Sequence, residues 1–208
     1  SASSLSDAEQ GELAAINAKM VDRVEKSMQL LDSLHEPWQQ KVDRAVAVNT
    51  CLRRAVRDLF PEWRLEETAV AETTLALSND CTLALRLDLA DDLPAIYTAP
   101  DMLSEALRVI LKNGYEAILS QNKSGTLAVT SRLQSPKRLQ IVVRDTGIGI
   151  RPEDLPHIFE MGWSTKPGTG MGFGLFWTRD FIQGLGGSVY VDSKPGQGTT
   201  FDISLPIT

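Results

Sequence analysis

At 208 residues the chain is long enough for one large domain, or for one domain with an appendage. A net charge of −6, a pI near 5.0 and the lack of any long Lys/Arg block argue against a nucleic-acid partner. No apolar run approaches the ~18 residues a membrane span needs, no signal peptide is visible, and a hydrophobic share of 42% suffices for a packed core. The two cysteines, Cys51 and Cys81, have neither metal-ligand nor dithiol spacing, which points to a reducing cytoplasm and no structural disulfide. Ser1 to Ser4 read as the cut edge of a longer chain.

From the N-terminus, residues 8–35 are expected to form one long helix. Leu13, Ile16, Met20, Val24, Met28 and Leu31 recur at spacings of three and four, opposite Glu12, Lys19, Asp22, Arg23 and Lys26. Such a stripe must be buried, against a second copy of the helix or against its own domain. Pro37 ends it by removing an N–H and disfavouring helix at Glu36. Asn49 to Phe60 is expected to be a shorter helix with Asn49 as its N-cap, and 62–78 is ambiguous between helix and loop. Leu83 to Leu89 alternates apolar and polar residues, the pattern of a half-buried strand. Ala95 to Thr98 is a second short strand, and Asp101 to Leu119 a helix with Leu103, Leu107, Ile110, Leu111, Tyr115 and Ile118 as its stripe. Two hairpins follow, Thr126–Leu133 with Arg138–Arg144, and Ser188–Asp192 with Thr199–Leu205. Helices and antiparallel hairpins in this order predict an α+β fold, a two-layer α/β sandwich preceded by a long helix.

Seven of the fifteen glycines lie between Asp145 and Leu175: Gly147, Gly149, Gly162, Gly168, Gly170, Gly172 and Gly174. Glycine costs backbone entropy, so this density implies sharp turns or close approach to a ligand. Gly170-Met171-Gly172-Phe173-Gly174 runs into Leu175–Ile182, a segment with helical pattern. Glycine loops leading into a helix N-terminus aim free N–H groups at phosphate. A plain surface loop is the competing account.

Three places carry chemistry. Asn113 sits within an apolar helix, where a carboxamide either ligates Mg²⁺, an ion that takes its other ligands from phosphates and water, or is a core Asn bonded to nearby backbone. Glu116 shares its face and either holds a metal-bound water or is simply solvated. Asp145 ends the apolar stretch Leu139–Val143, followed by Gly147 and Gly149. Its carboxylate can accept a hydrogen bond from adenine's exocyclic amine, whereas guanine offers an oxygen there. Such a mismatch leaves buried groups unpaired and can discriminate by up to ~10⁴-fold. Alternatively Asp145 only starts a turn. Ser164, Thr165 and Lys166 are candidates for the terminal phosphates, and Lys166 is equally an ordinary exposed lysine.

In order and spacing, Asn113, Asp145-x-Gly147-x-Gly149, Gly170-x-Gly172-x-Gly174-Leu175 and Gly196-x-Gly198-Thr199 resemble the N, G1, G2 and G3 boxes of the GHKL ATPases. These are the sensor histidine kinases, DNA gyrase B subunits and MutL-type proteins of the Bergerat fold. Ile158-Phe-Glu160 with Trp163-Ser-Thr-Lys166 resembles the F box, which points to the histidine-kinase branch. The resemblance covers about residues 83–205. It implies that Mg-ATP is enclosed by helices and a lid, that Asn113 ligates Mg²⁺, and that Asp145 holds adenine. It further implies that Thr199 supports the adenine end and that the Gly170–Gly174 loop, with Met171 and Leu175, binds phosphates.

On this resemblance, residues 1–40 look like the second helix of a dimerisation hairpin and 41–208 like an ATP-binding catalytic domain. The implied activity is transfer of the ATP γ-phosphoryl group to a protein histidine, with a response-regulator receiver domain and the rest of the parent kinase as partners and a homodimer through the first helix. The phosphoacceptor helix is not found: His35-Glu36 is followed at once by Pro37, and His157 reads as a local structural residue, so the acceptor is expected outside this chain. Two departures stand out. Val109 occupies a position where relatives carry Asn or an acidic base, which argues against a simple hydrolase of the gyrase or MutL kind. Gly114 replaces the usual Ala and is expected to loosen the helix by roughly 0.5–1 kcal/mol. The alternative function is a nucleotide-binding or partner-binding module of the same fold without phosphotransfer.

Overall fold

Four leucines that alternate along one strand set the core. In β3 (Thr82–Leu89), Leu83, Leu85, Leu87 and Leu89 are all buried while Thr82, Arg86 and Asp88 face solvent, because successive side chains of a strand point to opposite faces. Each such leucine gains roughly 1.5–3 kcal/mol from leaving water. The same one-sided burial recurs in β5 (Gly125–Ser135), β6 (Arg138–Asp145) and β8 (Gly198–Pro206). The computed structural model describes residues 44–63, 69–77, 81–121, 123–165 and 172–207. The expected helix over 8–35, Pro37 and His35 lie outside the described residues.

These strands, with β2 (Val70–Ala76) and β7 (Ser188–Lys194), form a six-stranded sheet of order β2-β3-β5-β6-β8-β7. Its apolar face carries the helices α1 (Val48–Leu59), α2 (Pro100–Leu119) and α3 (Gly174–Gly184). The second helix packs on β5, β6 and β8 and contacts both other helices. Of its expected stripe, Leu103, Leu107, Ile110, Leu111 and Ile118 are fully buried and Tyr115 is half-buried. This is the expected two-layer α+β arrangement. A separate two-stranded sheet pairs β1 (Arg44–Val46) with β4 (Ile96–Thr98). Among the described residues no helix is long and apolar enough to cross a membrane, and both cysteines are free thiols.

The structure corrects two expectations and adds two features. Asn49 is not an N-cap. The helix starts one residue earlier, with Ala47 at the cap position and no side-chain cap. The Asn49 amide instead donates to the Ala90 carbonyl (2.7 Å) and accepts from the Ser131 hydroxyl (2.7 Å), which ties the helix to the end of β3 and to the middle of β5. Part of the ambiguous 62–78 stretch is the edge strand β2. Its residues alternate only between half-buried and exposed, so the sequence shows little hydrophobic contrast. Pairing with β3 supports it, including the Arg86–Glu72 ion pair across the strands at 3.0 Å. The strand β1 carried no sequence signal at three residues. Finally, the sheet is mixed: β3 and β5 pair in parallel, with α2 in the connection between them, as a parallel pair requires a long crossover.

Candidate functional site

Asp145 ends β6 on the helix-facing side and is 3% exposed. Its Oδ1 accepts from the N–H of Gly147 (2.8 Å) and the N–H of Thr199 (3.3 Å). The bond two residues on is the turn-starting geometry the sequence offered as an alternative, and it coexists with an acceptor, Oδ2, that neither N–H engages. Burial pushes the carboxyl up from 3.8 to about 6, and the two N–H groups hold it back only in part. The Oδ2 atom lies 3.4 Å from where a Cβ on Gly114 would stand. That side chain is therefore aimed at the middle of α2, next to Asn113. Asn113 and Glu116 are half-buried on that helix, and Glu116 lies 3.8 Å from the Lys112 ammonium.

The Asp145–Ile150 segment is stitched to its surroundings by main chain. Ile148 N–H donates to the Ala117 carbonyl at 3.1 Å, and Thr146 N–H to the Thr126 carbonyl at 3.1 Å. A Cβ on Gly147 would fall 2.5 Å from the Ala117 carbonyl carbon. Gly149 (φ +70°) and Gly198 (φ +92°) are in the left-handed region. A Cβ on the first would lie 2.1 Å from the Lys194 oxygen, and one on the second 2.0 Å from the Asp145 oxygen. The 145–150 and 194–199 turns thus cross at backbone contact distance, and Gly196 N–H donates to the Ile148 carbonyl at 2.7 Å. Glycine here allows one stretch of main chain to approach another.

Sequence reasoning missed Ser193. Its hydroxyl accepts from Ile150 N–H (2.9 Å), donates to the Gly198 carbonyl (3.0 Å) and meets the Thr199 hydroxyl at 2.9 Å. A serine on an edge strand gives no sign of this, because its three partners come from two turns that meet only in the folded chain.

The other half of the site begins at Ile158, which is buried. Arg179 of α3 holds the next residue: its guanidinium sits 5.0 Å over the Phe159 ring and donates to the Phe159 carbonyl at 3.3 Å. His157 bonds Glu160 at 2.9 Å and stacks on Trp163 at 6.5 Å, contacts that give it the local structural role expected. Gly162 N–H donates to the Gly172 carbonyl at 3.2 Å, and Gly172 has φ +69°. Ser164 and Thr165 are exposed. Lys166, Gly168, Gly170 and Met171 lie outside the described residues. Gly174 opens α3 and Leu175 follows it. No side chain caps this helix and its first turn holds no acidic residue, so its N-terminal N–H groups and positive dipole end favour an anion. Val109 packs against that start: its Cγ1 lies 3.0 Å from where a Gly174 Cβ would stand.

As to metal, no group of three or more His, Cys, Asp or Glu fit to hold an ion occurs among the described residues. Asn113 and Glu116, hard oxygen donors on the helix that Gly114 brings against Asp145, fit an ion taking most of its ligands from phosphates and water.

The family described as "Histidine kinase-, DNA gyrase B-, and HSP90-like ATPase" matches residues 98–208. Among curated proteins, the chain is 33% identical over 132 residues to sporulation kinase E of Bacillus subtilis (strain 168), covering 64% of this chain and 17% of that protein. It is 29% identical over 196 residues to the sensor histidine kinase ZraS of Escherichia coli (strain K12), covering 94% of this chain and 38% of that protein. The chain therefore spans well under half the length of either. Among solved structures, it resembles the mycobacterial sensor histidine kinase MprB with a TM-score of 0.60 at 20% identity, over 79% of this chain and 97% of that one. Full-length ShkA in complex with AMPPNP gives 0.65 at 19% identity, over 99% of this chain and 40% of that one. At these identities the structures bear on the fold.

Proposed function

This chain belongs to the histidine kinase-, DNA gyrase B- and HSP90-like ATPase family, and we propose that it is the ATP-binding catalytic part of a two-component sensor histidine kinase. The observation that carries the proposal is Asp145, a buried carboxylate with one oxygen engaged by two N–H groups and the other left as an acceptor. In this role Oδ2 takes the exocyclic amine of adenine. Asn113 would hold Mg²⁺ with help from Glu116, and the ion would supply charge neutralisation on the phosphates. The uncapped start of α3 at Gly174 and Leu175, with Ser164, Thr165, Lys166, Gly170, Met171 and Gly172, takes the phosphate end. Catalysis then rests on positioning and charge neutralisation, as in phosphoryl transfer generally, and the γ-phosphoryl passes to a histidine of the parent protein. Sporulation kinase E and ZraS, kinases by name, support this branch.

Val109 disfavours the hydrolase branch, since a valine packed on Gly174 can activate no water. The parent kinase, a receiver domain and a second copy joined through residues 1–40 are the partners this role requires, in the cytoplasm. A thermal-shift titration tests the core of the proposal. ATP or ADP should raise the unfolding midpoint and GTP or GDP should not; equal shifts would overturn it. Asn113→Asp should keep the fold and change the Mg²⁺ dependence of nucleotide binding, and equal dependence in both proteins would count against the metal role.

A further inference from the structure

We propose that Ser193 is a positioning residue that sets the direction of the Thr199 hydroxyl and thereby makes the base-reading end of the site acceptor-only; this rests on the nucleotide role of Asp145. A serine hydroxyl has one hydrogen and two lone pairs. Ser193 receives Ile150 N–H at 2.9 Å, so one lone pair is used. The Gly198 carbonyl, 3.0 Å away, can only accept, so the serine hydrogen goes there. The remaining contact, to Thr199 Oγ1 at 2.9 Å, must then have Thr199 as the donor. The threonine hydrogen is thus spent inside the protein.

The consequence lies next to Asp145. Thr199 is 4% exposed, and its N–H is bonded to Asp145 Oδ1. With its hydroxyl hydrogen turned to Ser193, Thr199 can offer a ligand only lone pairs. Asp145 Oδ2 likewise offers only lone pairs when ionised. The Thr199 main chain is bonded to the Asp145 carboxylate, so the two residues are neighbours; two such acceptors suit an amino group, which carries two hydrogens, and repel a carbonyl oxygen in its place. The carboxylate alone would leave the threonine free to turn and donate to an oxygen. Ser193 removes that freedom, and so deepens discrimination without touching the ligand.

The experiment compares ADP with inosine diphosphate, which carries an oxygen in place of the 6-amino group, by calorimetry on the whole chain. The wild type should prefer ADP by about tenfold or more, the scale of one buried hydrogen-bonding group left unpaired. Ser193→Ala should shrink that preference severalfold, and Ser193→Thr should restore it because the hydroxyl is kept. Thr199→Val guards against a folding defect in the first variant: it should shrink the preference alike, and the double variant should add little further. A Ser193→Ala protein that weakens both ligands equally, or neither, would overturn the proposal and leave the nucleotide role standing. A wild type that binds ADP no better than GDP would remove the nucleotide role, and this inference with it.

Discussion

Asp145 is costly for the fold and, in the proposed role, necessary for nucleotide binding. Its carboxyl titrates near 6 in the folded protein against an ordinary 3.8. Between those values the folded chain holds a proton that the unfolded chain has lost, so its stabilising contribution is complete below about pH 4 and is lost as pH rises through about 6. About two units of pKa correspond to roughly 3 kcal/mol. Asp145→Asn keeps an acceptor for the Gly147 and Thr199 N–H groups but carries no charge. That variant should therefore unfold at a higher temperature than the wild type near pH 8, with the gain fading toward about pH 4, and it should lose ADP binding. Parallel thermal denaturation across this range checks the first part, and a variant less stable at every pH would refute it. By the same sign, wild-type affinity for ADP should fall as pH drops through about 6, because the proton takes the acceptor the amine needs; calorimetry at several pH values measures this. Asp145 was legible in sequence because a carboxylate closes an apolar strand and precedes two glycines. Its bond to Thr199 was not, since 54 residues separate them.

At the level of elements, the sequence and the structure disagree about what Gly114 does. Read along the helix, it is a weak point. In the fold, α2 runs unbroken from Pro100 to Leu119, and a Cβ at position 114 would meet Leu127 Cδ1 at 2.9 Å and Asp145 Cβ at 3.2 Å. An alanine here would make the Leu127 methyl and the Asp145 side chain give way. Gly114→Ala would gain about 1 kcal/mol of helix propensity, but it must displace Leu127 and the Asp145 side chain, an overpacking cost of about 1–3 kcal/mol. The expected outcome is no net gain in stability and weaker ADP binding, read by denaturant unfolding and calorimetry. A more stable variant with unchanged affinity would restore the helix-loosening account. The same contrast explains Asn49. A polar residue at the start of a helical pattern signals a cap, but the strand residues that claimed its amide are invisible along the sequence. The helices and β3 were legible because their burial is one-sided and periodic. The edge strand β2 was not, because neither of its faces is fully buried.

For the molecule as a whole, local pattern named the layers but not the order in which the strands pair. The parallel neighbours β3 and β5, and the crossing of the 145–150 and 194–199 turns, are contacts between distant segments. The glycines flagged the crossing without saying what it crossed. Val42–Thr208 forms a compact unit with its own core. Such a unit should fold alone. A chain beginning at Val42 should keep the unfolding cooperativity and the ADP affinity of the full chain, since Asp145, Thr199 and the start of α3 all belong to this unit. Self-association, by contrast, should be lost with residues 1–41 if they carry the dimer contact proposed for them. Sedimentation and calorimetry on the two chains separate these properties. Lost ADP affinity in the shorter chain would place part of the nucleotide site in the first 41 residues.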